Sequence, residues 1–558
     1  MSSISPHRRA RPRRPGRLLT ATLGLLMASC GDTNPPASSS SAATGAATVS
    51  TVAPPTALPG AAAATPAPSL TAPPTPWQSP DALDHARTAR KPVLFYVSSE
   101  WCPPCRALEA SLFSTKAFWD ATRDLVHVRV DGDDDGAQAL VSRFEAWAYP
   151  TLLLLSPDGE ELFRAHHAVS LDELTPALAA ASATSGGFAS ALARLEKASP
   201  SPADCALFAA IDWSSAPTAT LEGPARIDAL KKAYQSCSAS PTQPDAVRAA
   251  LAAHLLGMAA MADMAADSAS PGAAVRPLAK ELLDTILHDA ESAWAARTLI
   301  TTWVKLVVPW HLGADRGPAF TSLRDRWLKA AANIASRPGA PLDMVLLAEN
   351  PTIDFHALEQ GTTPIAPALA ARIEQTISRV DALAKTQAER HSVAGNAAYL
   401  LRSIGQKDRA RDYLLAEIQK SDSPSHYQTT LSQWALADGD LDDARRLARA
   451  AVDSARGRPS RLQWMVNELA LYREDPQDRP TLLARATAIY DLLFSADDAF
   501  LGRNKVRTAQ LASLLDTARG DPTLVSLAAT YGQRCKSLPE SQRLDCQVHF
   551  ASLGVPPK

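Results

Sequence analysis

The chain has 558 residues, of which 46% are hydrophobic and 20% are charged, and its formal net charge is −2. This length exceeds what one hydrophobic core supports, so two or three domains are expected. The first 29 residues contain six arginines and no acidic residue, which leaves the rest of the chain acidic. Such a chain is not expected to bind nucleic acid or an anionic membrane surface.

The N-terminus has the pattern of an export signal. An arginine-rich segment precedes the apolar stretch Leu18–Ala28, which is too short to span a bilayer as a helix. Small residues then lead into Cys30, and this arrangement resembles a bacterial lipoprotein signal. The resemblance implies that residues 1–29 are removed and that Cys30 carries a lipid. The protein would then be anchored in a bacterial cell envelope, facing the periplasm or the exterior. Ordinary secretion with an incidental cysteine is the alternative.

Residues 30–80 are predicted to form a tether. No charged residue lies between Asp32 and Asp81, and Ala, Ser, Thr and Pro dominate this stretch. A segment of this composition cannot bury a core and stays extended. We expect it to hold the folded part of the protein away from the membrane.

A dithiol motif follows the first strongly apolar run. The run Val93–Val97 precedes Cys102-Pro103-Pro104-Cys105, and a Cys-x-x-Cys between a buried strand and a helix is suited to thiol–disulfide exchange. The helix N-terminus favours a thiolate on Cys102, which we expect to be the more exposed and more acidic thiol. Cys105, one turn deeper, is expected to resolve the mixed disulfide.

The sequence after the dithiol predicts the rest of a small α/β domain. Apolar runs recur at strand length, and Ser, Pro, Asp and Gly at 156–159 mark a turn. The predicted elements are strands at residues 125–131, 152–155 and 160–164 and a closing helix at residues 171–180.

Residues 81–185 resemble the thioredoxin family. The resemblance rests on Trp101 together with the dithiol and on Tyr149-Pro150 ahead of the third strand. It is closest to periplasmic thioredoxin-like modules that relay electrons. The resemblance implies a cis bond before Pro150 and a substrate groove at Trp101, Tyr149 and Pro150.

One position departs from the family pattern. Thioredoxins usually carry a buried acid six residues before the first cysteine, and this chain has Tyr96 there. Glu100 is the candidate substitute for a proton relay to Cys105, and a merely solvated Glu100 is the alternative.

Other chemistry is not favoured by the residues. The acid-rich segment 131–135 lacks the bidentate Glu of a calcium loop, so we interpret it as a solvated turn. The two cysteines of the dithiol lack a second ligand pair nearby, so no zinc site is predicted. We expect no metal and no cofactor.

Four further cysteines are predicted to be structural. Cys205 with Cys237 and Cys535 with Cys546 are near in sequence, and an oxidising compartment favours disulfides. Four cysteines allow three connectivities. Local pairing is preferred, and the alternative is that the first pair meets the second as resolving thiols.

The C-terminal part of the chain reads as a long all-α region, with residues 186–390 and 391–558 as its two parts. Amphipathic segments follow one another with short polar breaks. Gly405 and Gly439, and likewise Ala410 and Ala444, are 34 residues apart, which is the tetratricopeptide period. A generic helical bundle with a coincidental spacing is the alternative.

The predicted fold class is therefore a multidomain chain with an α/β thioredoxin-like domain followed by a long helical-hairpin region. The predicted function is a membrane-anchored thiol–disulfide oxidoreductase acting on protein cysteines, with a thiol electron donor or acceptor as second partner. The direction of electron flow is not given by the motif. The alternative is a surface interaction scaffold, in which the helical region binds a partner protein and the thioredoxin-like part is auxiliary.

Overall fold

The computed structural model describes residues 77–166, 169–183, 187–197, 200–214, 221, 223–265 and 270–554. The predicted signal at residues 1–29, Cys30 and most of the predicted tether lie outside the described residues. Those three expectations therefore stay predictions.

A four-stranded mixed sheet forms the centre of the N-terminal domain. Its strands are β1 (Val93–Ser98), β2 (Val126–Asp131), β3 (Thr151–Leu155) and β4 (Glu161–Ala165), in the spatial order β2-β1-β3-β4. β1 pairs with β2 in parallel and with β3 antiparallel, and β3 pairs with β4 antiparallel. All six residues of β1 are buried, and five of them are Val, Leu, Phe or Tyr, as expected for a central strand that is covered on both faces.

Five helices accompany the sheet, and the second of them begins directly after Cys102 and includes Cys105. A short π-helical turn, Glu109–Phe113, continues that second helix. The helices are α1 (Ala82–Thr88), α2 (Pro103–Leu108), α3 (Lys116–Ala121), α4 (Ala137–Arg143) and α5 (Leu171–Ala183).

The described residues from 187 onward fold into helices joined by turns and short loops, which we call the helical half. The α/β domain followed by an all-α region is thus confirmed. The helices are α6 (Gly187–Glu196), α7 (Pro202–Ala210), α8 (Gly223–Ser238), α9 (Asp245–Ala265), α10 (Ala279–Ile286), α11 (Ala290–Ala295), α12 (Arg297–Thr302), α13 (Val304–Leu312), α14 (Pro318–Ser336), α15 (Leu342–Leu347), α16 (Asn350–Gln360), α17 (Pro367–Leu383), α18 (Gln387–Ser403), α19 (Lys407–Ile418), α20 (Ser425–Ala437), α21 (Leu441–Ser454), α22 (Arg458–Leu469), α23 (Arg479–Leu493), α24 (Gly502–Leu515), α25 (Pro522–Arg534) and α26 (Glu540–Gly554).

The residues of the 34-residue repeat lie in two helical hairpins. Gly405 lies in the turn between α18 and α19, and Gly439 in the turn between α20 and α21. Ala410 and Ala444 are fully buried, as expected for small residues where paired helices approach closely. The helical hairpins are present, and their assignment to the tetratricopeptide family stays a prediction.

The hydrophobic core does not stop at the end of the α/β domain. The largest buried cluster runs from the sheet through α5 and into the helices up to Phe355, and it includes Trp464 of α22. Two further clusters fill the helical half, one between Val345 and Leu447 and one between Leu462 and Leu553. Packing therefore marks no break at residue 185 or at residue 390, and the predicted domain limits stay predictions.

One helix among the described residues is long and apolar enough to cross a membrane. It is the stretch Asp245–Met264 of α9. Leu251, Leu255 and Leu256 on this helix are buried in the largest core cluster, which is the environment of a core helix in a folded protein.

Candidate active site

The dithiol lies where the central strand passes into α2. Cys102 is the N-cap residue of α2, and its sulfur accepts a hydrogen bond from the Cys105 backbone N–H at 3.2 Å. Pro103 and Pro104 occupy the first two helical positions, where a missing N–H leaves no helical bond unmade. The two cysteines are joined as a disulfide, with Cα atoms 5.3 Å apart. The amide of Cys105 is thus the first N–H of the helix available to a Cys102 thiolate.

Two of the predicted groove residues, Trp101 and Tyr149, lie close together, and Trp101 directly precedes Cys102. The Tyr149–Pro150 bond is cis, as expected from the family resemblance. The rings of Trp101 and Tyr149 lie 6.3 Å apart. Burial raises the pKa of the Tyr149 hydroxyl to about 12, so this hydroxyl stays neutral at physiological pH.

The dithiol is buried, which corrects the expectation of an exposed Cys102. Cys102 and Cys105 both have 0% of their surface exposed, and Trp101 and Tyr149 are only 3% and 4% exposed. The physical reason is that helices from the far end of the chain pack over this face of the α/β domain. We call α18, α20, α22 and α24, with the loop residues directly preceding α22, the dithiol cover.

Two histidines of the cover contact Trp101. The Nε2 atom of His391 in α18 lies 3.0 Å from the carbonyl oxygen of Trp101, and its Nδ1 atom lies 3.2 Å from the hydroxyl oxygen of Tyr427. The ring of His426 in α20 is stacked on Trp101 with centroids 6.3 Å apart. Burial lowers the pKa of His391 and of His426 to about 4, so both rings are neutral at pH 7.

The third and fourth helices of the cover complete the enclosure. The ring of Trp464 in α22 meets that of Trp101 edge to face at 5.6 Å. The guanidinium of Arg503 in α24 lies over Tyr149 at 4.5 Å and over Trp101 at 5.4 Å. Cation–π contacts of this kind each contribute ~0.5–2 kcal/mol when partly desolvated.

Asp133 joins the α/β domain to the cover through hydrogen bonds. Its carboxylate accepts from Ser99 Oγ at 2.7 Å and from Trp101 Nε1 at 3.1 Å. It also accepts from the backbone N–H of Ser460 at 2.9 Å and from its hydroxyl at 2.7 Å. Burial raises the pKa of Asp133, and the hydrogen bonds from Ser99 and Ser460 oppose that rise.

The interpretation of residues 131–135 as a solvated turn is therefore wrong for Asp133. The acid-rich sequence was an accurate sign of a turn, but the side chain points at partners that the local sequence does not contain. Ser460 is 327 residues further along the chain. Sequence reasoning missed Asp133, and likewise Arg503 and His391, because no local motif marks a contact at this separation.

Glu100 is placed at the edge of the cover. Its carboxylate pairs with Arg456 at 3.1 Å, and its side chain is 46% exposed. Its backbone carbonyl accepts from Arg106 Nε at 3.0 Å. An exposed ion pair holds the carboxylate at the surface, so this arrangement lends no support to the proton-relay role.

Tyr96 occupies the position where the family usually has a buried acid. The side chain is fully buried, and its hydroxyl donates to the carbonyl oxygen of Cys105 at 3.5 Å. Burial, reinforced by the charge of Glu109, raises the pKa of this hydroxyl far above its ordinary value. Tyr96 thus supplies a neutral contact to the backbone of Cys105 rather than an acid.

The four remaining described cysteines lie in the helical half in the local pairing that the sequence favoured. Cys205 of α7 is bonded to Cys237 of α8, with Cα atoms 5.7 Å apart. Cys535, which follows α25, is bonded to Cys546 of α26, with Cα atoms 5.6 Å apart. All four are buried, so each bond tethers two neighbouring helical segments within a core.

One surface cluster in the described residues has metal-ligand chemistry. Ligand atoms of Asp245, His288 and Asp289 lie within 4.8 Å of one another, and all three residues are exposed. Asp289 also accepts the backbone N–H of Ser292 at 2.7 Å as the N-cap of α11. The capping role accounts for the position of Asp289 without an ion.

Comparison with known proteins supports the assignment of the α/β domain. Residues 79–182 match the model of a thioredoxin-like domain family. A stretch of 95 residues, 17% of the chain, is 30% identical to the thiol:disulfide interchange protein DsbD of Pseudomonas fluorescens. The chain contains a thioredoxin-like domain with a Cys102–Cys105 disulfide at the position of its dithiol. The aligned stretch spans 16% of the length of DsbD, so the likeness concerns only a part of each protein.

Proposed function

We propose that the protein is a thiol–disulfide oxidoreductase that exchanges disulfides with cysteine-containing proteins through Cys102 and Cys105. The observation that carries the proposal is the Cys102–Cys105 disulfide at the start of α2 in a thioredoxin-like domain. The likeness to a thiol:disulfide interchange protein, 30% identical over 95 residues, supports it.

The exchange proceeds in two steps that balance. In the reducing direction, the Cys102 thiolate attacks one sulfur of a substrate disulfide, forms a mixed disulfide and releases one substrate thiolate, which takes up a proton. The Cys105 thiolate then attacks the Cys102 sulfur, which restores the Cys102–Cys105 disulfide and releases the second substrate thiol. Two electrons pass to the substrate, and a thiol donor must return them. The same steps in reverse oxidise a substrate dithiol.

The local geometry supports the order in which the two cysteines react. The sulfur of Cys102 accepts the Cys105 N–H, so a thiolate on Cys102 is stabilised by a backbone donor and by the start of α2. The carbonyl of Cys105 is contacted by the neutral hydroxyl of Tyr96, and Cys105 lies inside the helix. Cys102 is therefore the attacking cysteine and Cys105 the resolving one.

The envelope location and the lipid anchor belong to the same proposal. They rest on the arginine-rich segment, the apolar stretch Leu18–Ala28 and Cys30. The two buried disulfides of the helical half support an oxidising compartment. Labelling of cells with a radioactive fatty acid, in the wild type and in Cys30→Ser, tests the anchor. Equal labelling of the two proteins contradicts it.

The test of the activity is insulin reduction with a small thiol as donor, followed by trapping. Cys102→Ala is expected to abolish the Cys-dependent rate, whereas Cys105→Ala is expected to accumulate a mixed disulfide with the substrate that reductant releases. The double variant Cys205→Ser with Cys237→Ser is a control, because it removes a disulfide away from the dithiol and leaves Cys102 and Cys105 intact. A protein whose Cys102→Ala variant equals the wild type in rate is not an oxidoreductase of this kind, and the interaction scaffold becomes the better account.

A further inference from the structure

The dithiol is not accessible in the arrangement that the structure describes. Exchange requires an incoming sulfur to approach the Cys102 sulfur in line with the bond that breaks. Neither Cys102 nor Cys105 exposes any surface. The dithiol cover must therefore move before a protein sulfur can reach the disulfide.

The cover occupies the place of a protein substrate. Its contacts fall on Trp101 and Tyr149, two of the residues that flank the dithiol and that a bound polypeptide would meet. The cover presents Trp464, Arg503 and His391 to them, and tryptophan and arginine are the residue types that dominate binding energy at protein interfaces. The helical half thus contacts its own thioredoxin-like domain in the way a partner protein would.

Two glycines let the cover approach the α/β domain closely. Gly457, directly before α22, has a φ of +72°, and a Cβ there would lie 2.5 Å from the Cβ of Asp133. Gly502, at the start of α24, has a φ of +51°, and a Cβ there would lie 2.9 Å from the backbone oxygen of Gln138. Both contacts are closer than atoms tolerate, and both glycines adopt a backbone conformation that side chains disfavour.

Directed hydrogen bonds accompany the close approach. Asp133 accepts both the N–H and the hydroxyl of Ser460. The buried side-chain oxygen of Gln138 accepts the backbone N–H of Arg503 at 2.6 Å. The folded protein loses stability when a buried polar group loses its hydrogen-bond partner and gains no water in exchange. The closed arrangement is therefore specified by polar contacts as well as by packing.

We propose that the dithiol cover controls access to Cys102 and Cys105 from within the same chain. A protein substrate must displace this cover to reach Cys102. This inference rests on the proposed thiol–disulfide exchange for its biological meaning, but the burial it describes is testable without a protein substrate. The observed rate of exchange is then the rate of the open form multiplied by the small fraction of molecules that are open.

Glycine substitutions at the interface provide the test. Gly502→Ala and Gly457→Ala place a methyl group between the cover and the α/β domain and should raise the open fraction. Gly439→Ala is the matched control, because Gly439 also has a positive φ, +86°, but has nothing within 4 Å of an added Cβ. Ser460→Ala is a milder variant that removes one hydrogen bond to Asp133 and adds no bulk.

The first readout is the rate at which dithiothreitol reduces the Cys102–Cys105 disulfide in the purified protein, followed by alkylation and mass spectrometry. The two interface alanine variants are expected to react at least tenfold faster than the wild type, Ser460→Ala less so, and Gly439→Ala at the rate of the wild type. Equal rates in all five proteins overturn the proposal. If Gly502→Ala and Gly457→Ala fail to fold, Ser460→Ala decides the question, since an unchanged rate of reduction in that variant also overturns the proposal.

The second readout, insulin reduction, separates this inference from the proposed function. One outcome is that the interface variants are reduced faster by dithiothreitol but no protein shows Cys102-dependent insulin turnover. This outcome supports the proposed cover and contradicts the proposed enzymatic function. The opposite outcome is Cys102-dependent insulin turnover at the same rate in the wild type and the interface variants. This outcome supports the proposed enzymatic function and contradicts the proposed cover.

Discussion

A change of His391 to glutamine tests the energetic coupling between the cover and the α/β domain. His391 is 5% exposed; its Nε2–H donates to the Trp101 carbonyl, and its Nδ1 accepts from the Tyr427 hydroxyl. Burial lowers its pKa to about 4, against an ordinary value near 6.5. Because the pKa is lower in the folded protein, the unfolded state takes up the proton first as the pH falls. The stabilisation by the neutral ring is complete above pH 6.5 and declines between pH 6.5 and pH 4.

The expected magnitude follows from the two pKa values. At pH 5 the difference amounts to about 2 kcal/mol of lost stability from His391 alone. Glutamine keeps an N–H donor for the Trp101 carbonyl and does not titrate. We therefore expect the fall in unfolding free energy from pH 7.5 to pH 5 to be smaller by about 2 kcal/mol in His391→Gln than in the wild type.

The measurement is equilibrium urea unfolding followed by tryptophan fluorescence at the two pH values. The buried histidines His127, His426 and His549 contribute to both proteins and cancel in the difference. His85→Gln serves as the control, because it makes the same substitution at an exposed histidine. An identical pH dependence in the wild type and His391→Gln would show that burial against the α/β domain does not hold His391 neutral.

Three further predictions concern the supporting structure. Replacing both Cys535 and Cys546 by serine should lower the unfolding free energy by about 3 kcal/mol in urea titrations, because the bond closes a loop with a sequence separation of 11; no change would mean that the bond does not form. Asp204→Ala should cost about 3 kcal/mol in the same titration, because this fully buried carboxylate caps α7 and pairs with Arg194; a loss below about 1 kcal/mol would contradict that account. Tyr96→Phe should leave the pH profile of dithiol reduction unchanged up to pH 10, because burial keeps the hydroxyl protonated; a profile that shifts would reassign Tyr96 to proton transfer.

The fold of the α/β domain could be predicted from the sequence, because the patterns that indicate its strands and helices are local. The predicted strand at residues 125–131 is observed as Val126–Asp131, and the predicted closing helix at residues 171–180 as Leu171–Ala183. Each apolar run is bounded by turn residues, and the dithiol is contiguous in sequence. The cis bond before Pro150 followed from the same family pattern.

The burial of the candidate site could not be predicted from the sequence, because it depends on contacts between residues that are far apart in the chain. Cys102 was expected to be exposed from its place at a helix start, and that place is correct. The neighbouring Trp101 is covered by His391, Trp464 and Arg503, which lie on three different helices of the helical half. Amphipathic periodicity identifies such helices and their apolar faces, but it does not say which other part of the chain an interface will cover.

The order of the chain adds a consequence for how the protein is made. Ribosomes deliver the thioredoxin-like domain more than 200 residues before α18 begins and about 320 before α24. Domains generally fold as they emerge, N-terminal ones first, and closing contacts as distant as Gln138 with Arg503 must wait for the last segment. We therefore expect each newly made molecule to pass through a period in which Cys102 and Cys105 have been synthesised and the helices of the dithiol cover have not. During that period the two cysteines would lack the cover that the complete chain provides.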